Sequence, residues 1–143
     1  MRRLLMIGLL AVSGCQSDTD PMTTSAPPPE LSPAASNAIA GDMASRFAEQ
    51  VGNEQGTLVL KQNASPFGQA LVAALKGWGY AIAIDQETDD RRRPSIQLVY
   101  TVDDFEGQTL ARLSSGTVEL ARAYSTTADG ASPASPLTVM RRQ

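Results

Sequence analysis

The lone cysteine of the 143-residue chain stands at position 15, directly behind a basic start and a short apolar run, and this placement governs how the rest can be read. Arg2 and Arg3 make a positive opening, Leu4 to Val12 an apolar stretch broken only by Gly8, and Ser13 and Gly14 are small. Together they have the three-part form of a secretory signal. The apolar stretch is far too short to cross a bilayer as a helix, which takes about 20 residues. A single cysteine excludes an internal disulfide and any multi-cysteine zinc or iron–sulfur centre. The absence of histidine removes an imidazole base, Ser/His and Cys/His pairs and His-based metal sites. Carboxylates, lysine, tyrosine and hydroxyls are left for chemistry, and a binding or structural protein is the reading these counts favour.

Val12-Ser13-Gly14-Cys15 resembles the lipobox of bacterial lipoproteins: an aliphatic residue, two small ones that let a peptidase approach an extended backbone, then the cysteine. The resemblance implies cleavage before Cys15 and acylation of its thiol and new amine, making Cys15 a lipid-attachment site. Several acyl chains at about 0.8 kcal/mol per buried CH₂ would anchor the chain stably. Gln16 stands where an aspartate commonly retains such proteins in the inner membrane, so the expected location is the outer membrane on its periplasmic side. Removing residues 1–14 takes away Arg2 and Arg3 and no acid, leaving 10 basic and 15 acidic residues, net −5. An acidic mature chain argues against direct nucleic-acid binding, which needs clustered Lys and Arg.

Residues 15–31, the cysteine followed by a Ser-, Thr-, Asp- and Pro-rich run with Pro27-Pro28-Pro29, read as an extended tether. Ser32-Pro33 is a helix start, hydroxyl cap then proline at the first helical position. Ile39, Met43, Phe47 and Val51 recur at four-residue steps, with Gly52 as the stop. Its polar face carries Asp42, Arg46 and Glu49, not a lysine strip, which favours packing on the domain's own sheet over a membrane surface.

Thr57 to Gln62 is a short β-type run. Ser65-Pro66 repeats the cap-and-proline signal, and Phe67, Leu71, Ala74, Leu75 and Trp78 share a helical face, ended by Gly77 and Gly79. Tyr80 to Ile84 is a second strand, and strand–helix–strand with tight connections predicts a crossover between parallel strands. After the polar loop Asp85 to Pro94, the alternation of Ile96, Leu98, Tyr100 and Val102 predicts a half-buried strand, and Asp103 to Gly107 a hairpin loop. Thr109 to Leu113 and Thr117 to Tyr124 follow, split by Ser114-Ser115-Gly116. The fold class is α+β: a small sandwich of one or two helices on a mixed four- to five-stranded sheet, order α-β-α-β-β-β-β, over residues 32–124. Residues 125–143 read as a flexible tail, with Leu137 to Met140 able instead to add to a partner's sheet edge.

No catalytic constellation emerges. Asp85, Glu87, Asp89 and Asp90 alternate as in a calcium loop, but Asp90 and Ile96 stand where that loop needs glycine and glutamate. Arg91-Arg92-Arg93 could touch phosphate or lipopolysaccharide, yet follows Asp89-Asp90 directly and reads as a solvated loop. Asp103, Asp104 and Glu106 lie at an expected hairpin tip, where water keeps carboxylates ordinary. Glycine-rich phosphate loops, nucleophile elbows and HExxH are missing from the sequence. No cofactor or metal is expected, and the chain reads as a non-enzyme.

The start MRRLLMIGLLAVSGC, the Pro-rich tether and the body TLVLKQNASPFGQALVAALKGWGYAIAID resemble the TrbH family of conjugal-transfer lipoproteins. Membership implies a structural or assembly role in a type IV secretion apparatus that moves plasmid DNA, with channel or core proteins as partners and, through the symmetry of such complexes, a possible homo-oligomer. Ser65 to Gln69 through Gly79-Tyr80 is also similar to flagellar and curli-type outer-membrane lipoproteins, and a ligand-binding envelope lipoprotein is a further class. Cys15→Ser is expected to release the protein from membranes and abolish acyl labelling; a variant that stays membrane-bound, with an unlabelled wild type, refutes the anchor.

Overall fold

The computed structural model describes residues 30–52, 56–61, 65–84 and 95–143. Its elements are α1 (Pro33–Val51), β1 (Thr57–Leu60), α2 (Pro66–Gly77), β2 (Ala81–Ile84), β3 (Ser95–Phe105), β4 (Gln108–Ser114), β5 (Val118–Thr127), β6 (Gly130–Pro133) and β7 (Thr138–Arg141). Both helices start as the sequence predicts. Ser32 Oγ accepts from the Ala35 amide at 3.0 Å and Ser65 Oγ from the Gly68 amide at 3.0 Å, each satisfying an otherwise unpaired donor of the first turn. At the far end of α1, Gly52 takes φ 72° and its amide donates to Ala48 O at 2.9 Å, a left-handed stop that glycine adopts without steric cost.

The mixed seven-stranded sheet runs β2-β1-β3-β4-β5-β6, with β7 also on β5. β1 pairs in parallel with β2 and with β3, as the strand–helix–strand reading predicts, and the other ladders are antiparallel. The long β3 joins the halves: Ser95 to Leu98 pair with β1, Val99 to Phe105 with β4. The α+β class holds. The strand count is larger than expected; of two corrections, the first supplies the extra strands and the second lengthens β3.

The first lies at the C-terminus. Residues 125–143 are expected to be a flexible tail, but β5 runs on to Thr127 and both β6 and β7 pair with it, so the folded unit extends well past residue 124. Leu137 to Met140 adds to a sheet edge as a short β-prone run can, yet the edge is its own chain's: Thr138, Val139, Met140 and Arg141 face Ala121, Leu120, Glu119 and Val118. An exposed four-residue strand has no apolar alternation to announce it; its signal is the vacant side of β5. The second correction is at the expected loop Asp103 to Gly107. Only Glu106 and Gly107 form the turn, at φ 50° and 78°, while Asp103, Asp104 and Phe105 continue β3. Two consecutive positive φ values suit the tight hairpin turn that matches strand twist.

The helices lie on one face of the sheet. α1 buries Ile39, Met43 and Phe47, α2 buries Phe67, Leu71 and Leu75, and both meet Leu58, Leu60, Leu98, Leu113, Leu120 and Tyr124 from the strands. Phe47 stacks obliquely on Tyr80 at 5.8 Å and Phe67 on Tyr100 at 5.4 Å, so the few aromatics join the layers. Leu71, fully buried, is expected to cost about 2–5 kcal/mol on truncation to alanine. Removing residues 128–143 is expected to lower the melting temperature markedly, because it strips the outer side of β5; an unchanged thermal transition would instead restore the flexible tail.

Candidate functional site

Among the described residues, a partly buried polar cluster lies where α1 crosses β5. One turn beyond Ile39 on α1, Asp42 is carried to the margin of the apolar stripe, and β5 presents Arg122 and Tyr124 on its helix-facing side. Asp42 Oδ2 accepts from the Tyr124 hydroxyl at 2.7 Å and from Arg122 Nη1 at 3.0 Å. Arg46 approaches Asp42 Oδ1 at 3.6 Å and pairs with Glu49 at 3.2 Å. Arg122 Nε donates to Ser135 O at 3.0 Å, and Ser135 Oγ accepts from the Ala123 amide at 2.9 Å. One carboxylate thus links the first helix to β5, and through Arg122 to the segment between β6 and β7.

The chemistry of this cluster is that of a fastening. Burial first, and then the bond to Asp42, hold the Tyr124 phenol far above its ordinary value near 10, so it stays protonated as a donor at neutral pH. Burial likewise raises Tyr80, whose hydroxyl donates to Gly52 O at 2.6 Å and fixes the end of α1. The nearby hollow lined by Ala48, Glu49, Gly52 and Trp78 is open to solvent. Among the described residues no group of three or more Asp, Glu, Cys or His is placed to hold a metal, and no helix is long and apolar enough to cross a membrane.

The residues singled out in the sequence fall elsewhere. Cys15, the acidic run Asp85, Glu87, Asp89 and Asp90, and Arg91 to Arg93 lie outside the described residues. Asp103 and Asp104 lie near the end of β3 and Glu106 occupies its turn, all exposed; Asp104 stands two strands from Tyr124, with Thr109 of β4 between them. Sequence reasoning puts Asp42 on the solvated face of the first helix with Arg46 and Glu49. The signal that could move it is its position directly before Met43, at the edge of the stripe; its partners, some 80 residues away, cannot be read from spacing.

Residues 17–143 match the family described as conjugal transfer protein TrbH. The chain belongs to the TrbH family. It is 45% identical over 147 aligned residues to a probable conjugal transfer protein TrbH of Sinorhizobium fredii (strain NBRC 101917 / NGR234), covering 99% of each chain. No solved structure matches. Of the two family resemblances carried by the sequence, the match falls on the conjugal-transfer one. The TrbH match runs to the last residue and so includes β6 and β7.

Tyr124→Phe removes one bond and leaves Asp42 with Arg122, an expected loss of about 0.5–1.5 kcal/mol. Asp42→Ala leaves the Tyr124 hydroxyl without its acceptor and Arg122 with only Ser135 O, and is expected to cost about 2–3 kcal/mol, measured by denaturant unfolding, with the double variant less than additive. A phenol raised in the fold binds its proton more tightly there than in the unfolded chain. Stability is therefore full below about pH 10 and falls as pH rises above it, and Tyr124→Phe is expected to flatten that alkaline loss.

Proposed function

We propose that this TrbH-family chain is an outer-membrane-anchored lipoprotein of a conjugal-transfer, type IV secretion apparatus, with a structural and assembly role in plasmid DNA transfer and no catalysis of its own. The observation that carries the reading is the near-full-length likeness to a probable conjugal transfer protein TrbH, joined to a start with the form of a lipoprotein signal. The family match begins at residue 17, two positions beyond Cys15, as it would if the shared part were the mature chain.

Lipid on Cys15 holds the protein at the periplasmic side of the outer membrane, and residues 15–31 set its reach. The channel or core proteins of the apparatus are its partners. Its acidic charge suits a scaffold and opposes a grip on the transferred DNA. The partly buried cluster at Asp42 supports this role: it ties the helix that leaves the tether to the far end of the chain, so a pull on the anchor passes into the whole sheet.

Deleting the gene from a donor strain is expected to lower plasmid transfer strongly, with rescue by the wild-type gene and weaker rescue by Cys15→Ser. Detergent extracts are expected to yield a channel-forming core protein with the tagged chain. Unchanged transfer together with no recovered core protein refutes the assignment.

A further inference from the structure

Both helices end at one place on the surface. Gly52 closes α1 and Trp78 closes α2, and both line the open hollow that they share with Ala48 and Glu49. Tyr80, just beyond α2, donates its hydroxyl to Gly52 O at 2.6 Å, so the two ends are held together. The hollow measures about 250 Å³, less than the roughly 300–1,000 Å³ of a small-molecule site, a size that suits one inserted side chain. Its charge is negative. The C-terminal end of a helix carries a partial negative charge, and α1 has no basic residue in its last turn to offset it, although Lys76 does so for α2. Glu49 adds a full negative charge. Its partner Arg46 is solvent-exposed and also approaches Asp42 at 3.6 Å, so the Glu49 carboxylate can exchange one cation for another at little cost. Trp78, the single tryptophan of the chain, keeps 48% of its surface exposed at this wall.

We infer that this hollow receives an arginine side chain from a partner protein, its guanidinium stacked on the Trp78 ring and bonded to the Glu49 carboxylate. An aromatic ring beside a carboxylate attracts a cation from two directions, by the ring's negative face and by ion pairing. Arginine fits both better than lysine does, because its planar group stacks on a ring, bonds a carboxylate through a fixed fork and gives up its water more readily. Size and charge thus select the occupant together: the space holds one side chain, and helix end, carboxylate and ring all favour a positive one. Tryptophan and arginine are also the residues on which protein interfaces most often anchor. The same contact serves whichever envelope apparatus the partner belongs to.

With a single tryptophan, the indole emission of the full chain in detergent reports on this hollow alone. Titration with the peptide acetyl-Gly-Arg-Gly-amide is expected to shift that emission saturably, and the citrulline peptide, of the same shape but neutral, to bind about tenfold more weakly. Glu49→Gln is expected to weaken the arginine peptide by a similar factor with little change in melting temperature, since its ion pair with Arg46 is exposed. Asp104→Asn, which removes the same charge at the β3 hairpin, is expected to bind as wild type does. The inference is overturned by an emission that does not saturate with the arginine peptide, by equal binding of the citrulline peptide, or by a folded Glu49→Gln variant that binds as wild type. Phosphocholine binding more tightly than the arginine peptide also overturns it, and makes a lipid headgroup the occupant. Should Glu49→Gln fail to fold, the comparison of arginine, citrulline and phosphocholine on the wild type decides.

Discussion

The structure depends on one helix lying across strands that the chain makes last. α1 exposes a stripe of Ile39, Met43 and Phe47 that a lone amphipathic helix cannot keep from water, and its cover comes from α2 beside it and from β4, β5 and β6, strands some 70 to 90 residues later. The first helix and the late strands β5 and β6 therefore stabilise each other. At the edge of that apolar contact, where a carboxylate would otherwise be costly to cover, Asp42 receives two donors from β5. Burial supplies most of the attraction, and the paired carboxylate selects where along β5 the helix rests.

That arrangement bears on the mechanical role proposed for the protein. The segment proposed as a tether would end just before Ser32, whose hydroxyl both caps α1 and donates to Thr127 O at 3.1 Å. A load arriving there meets the start of the helix and the end of β5 together, and β5 is held on both sides, by β4 and by the pair β6 and β7. Strands sheared along their ladders share load over several bonds, so a small domain with a modest aliphatic core can serve as an anchored part. The buried tyrosine suits the same end, since its proton is held too tightly for acid–base work near neutral pH.

Much of the fold can be read from local chemistry. Ser32-Pro33 and Ser65-Pro66 announce both helices because a hydroxyl and a proline act within one turn, and the alternation of Ile96, Leu98, Tyr100 and Val102 announces β3 because a half-buried strand repeats every two residues. β6 and β7 are not legible: their residues are mostly exposed, so no apolar period marks them. The Asp42 cluster is legible only in part, since the helix stripe shows where Asp42 stands but nothing local points to Arg122 or Tyr124.

The sequence by itself determined the elements whose causes are short-range: the lipoprotein-like start at Cys15, the helix caps, the central strands, the α+β class and the resemblance to TrbH proteins. Only the tertiary structure decided that the last residues complete the sheet, that the first helix rests on β5 through Asp42, and that β2 stands, among the described residues, as an uncharged sheet edge. Those are matters of which backbone and side-chain groups remain without partners once everything else has packed, and that remainder exists only in the folded chain.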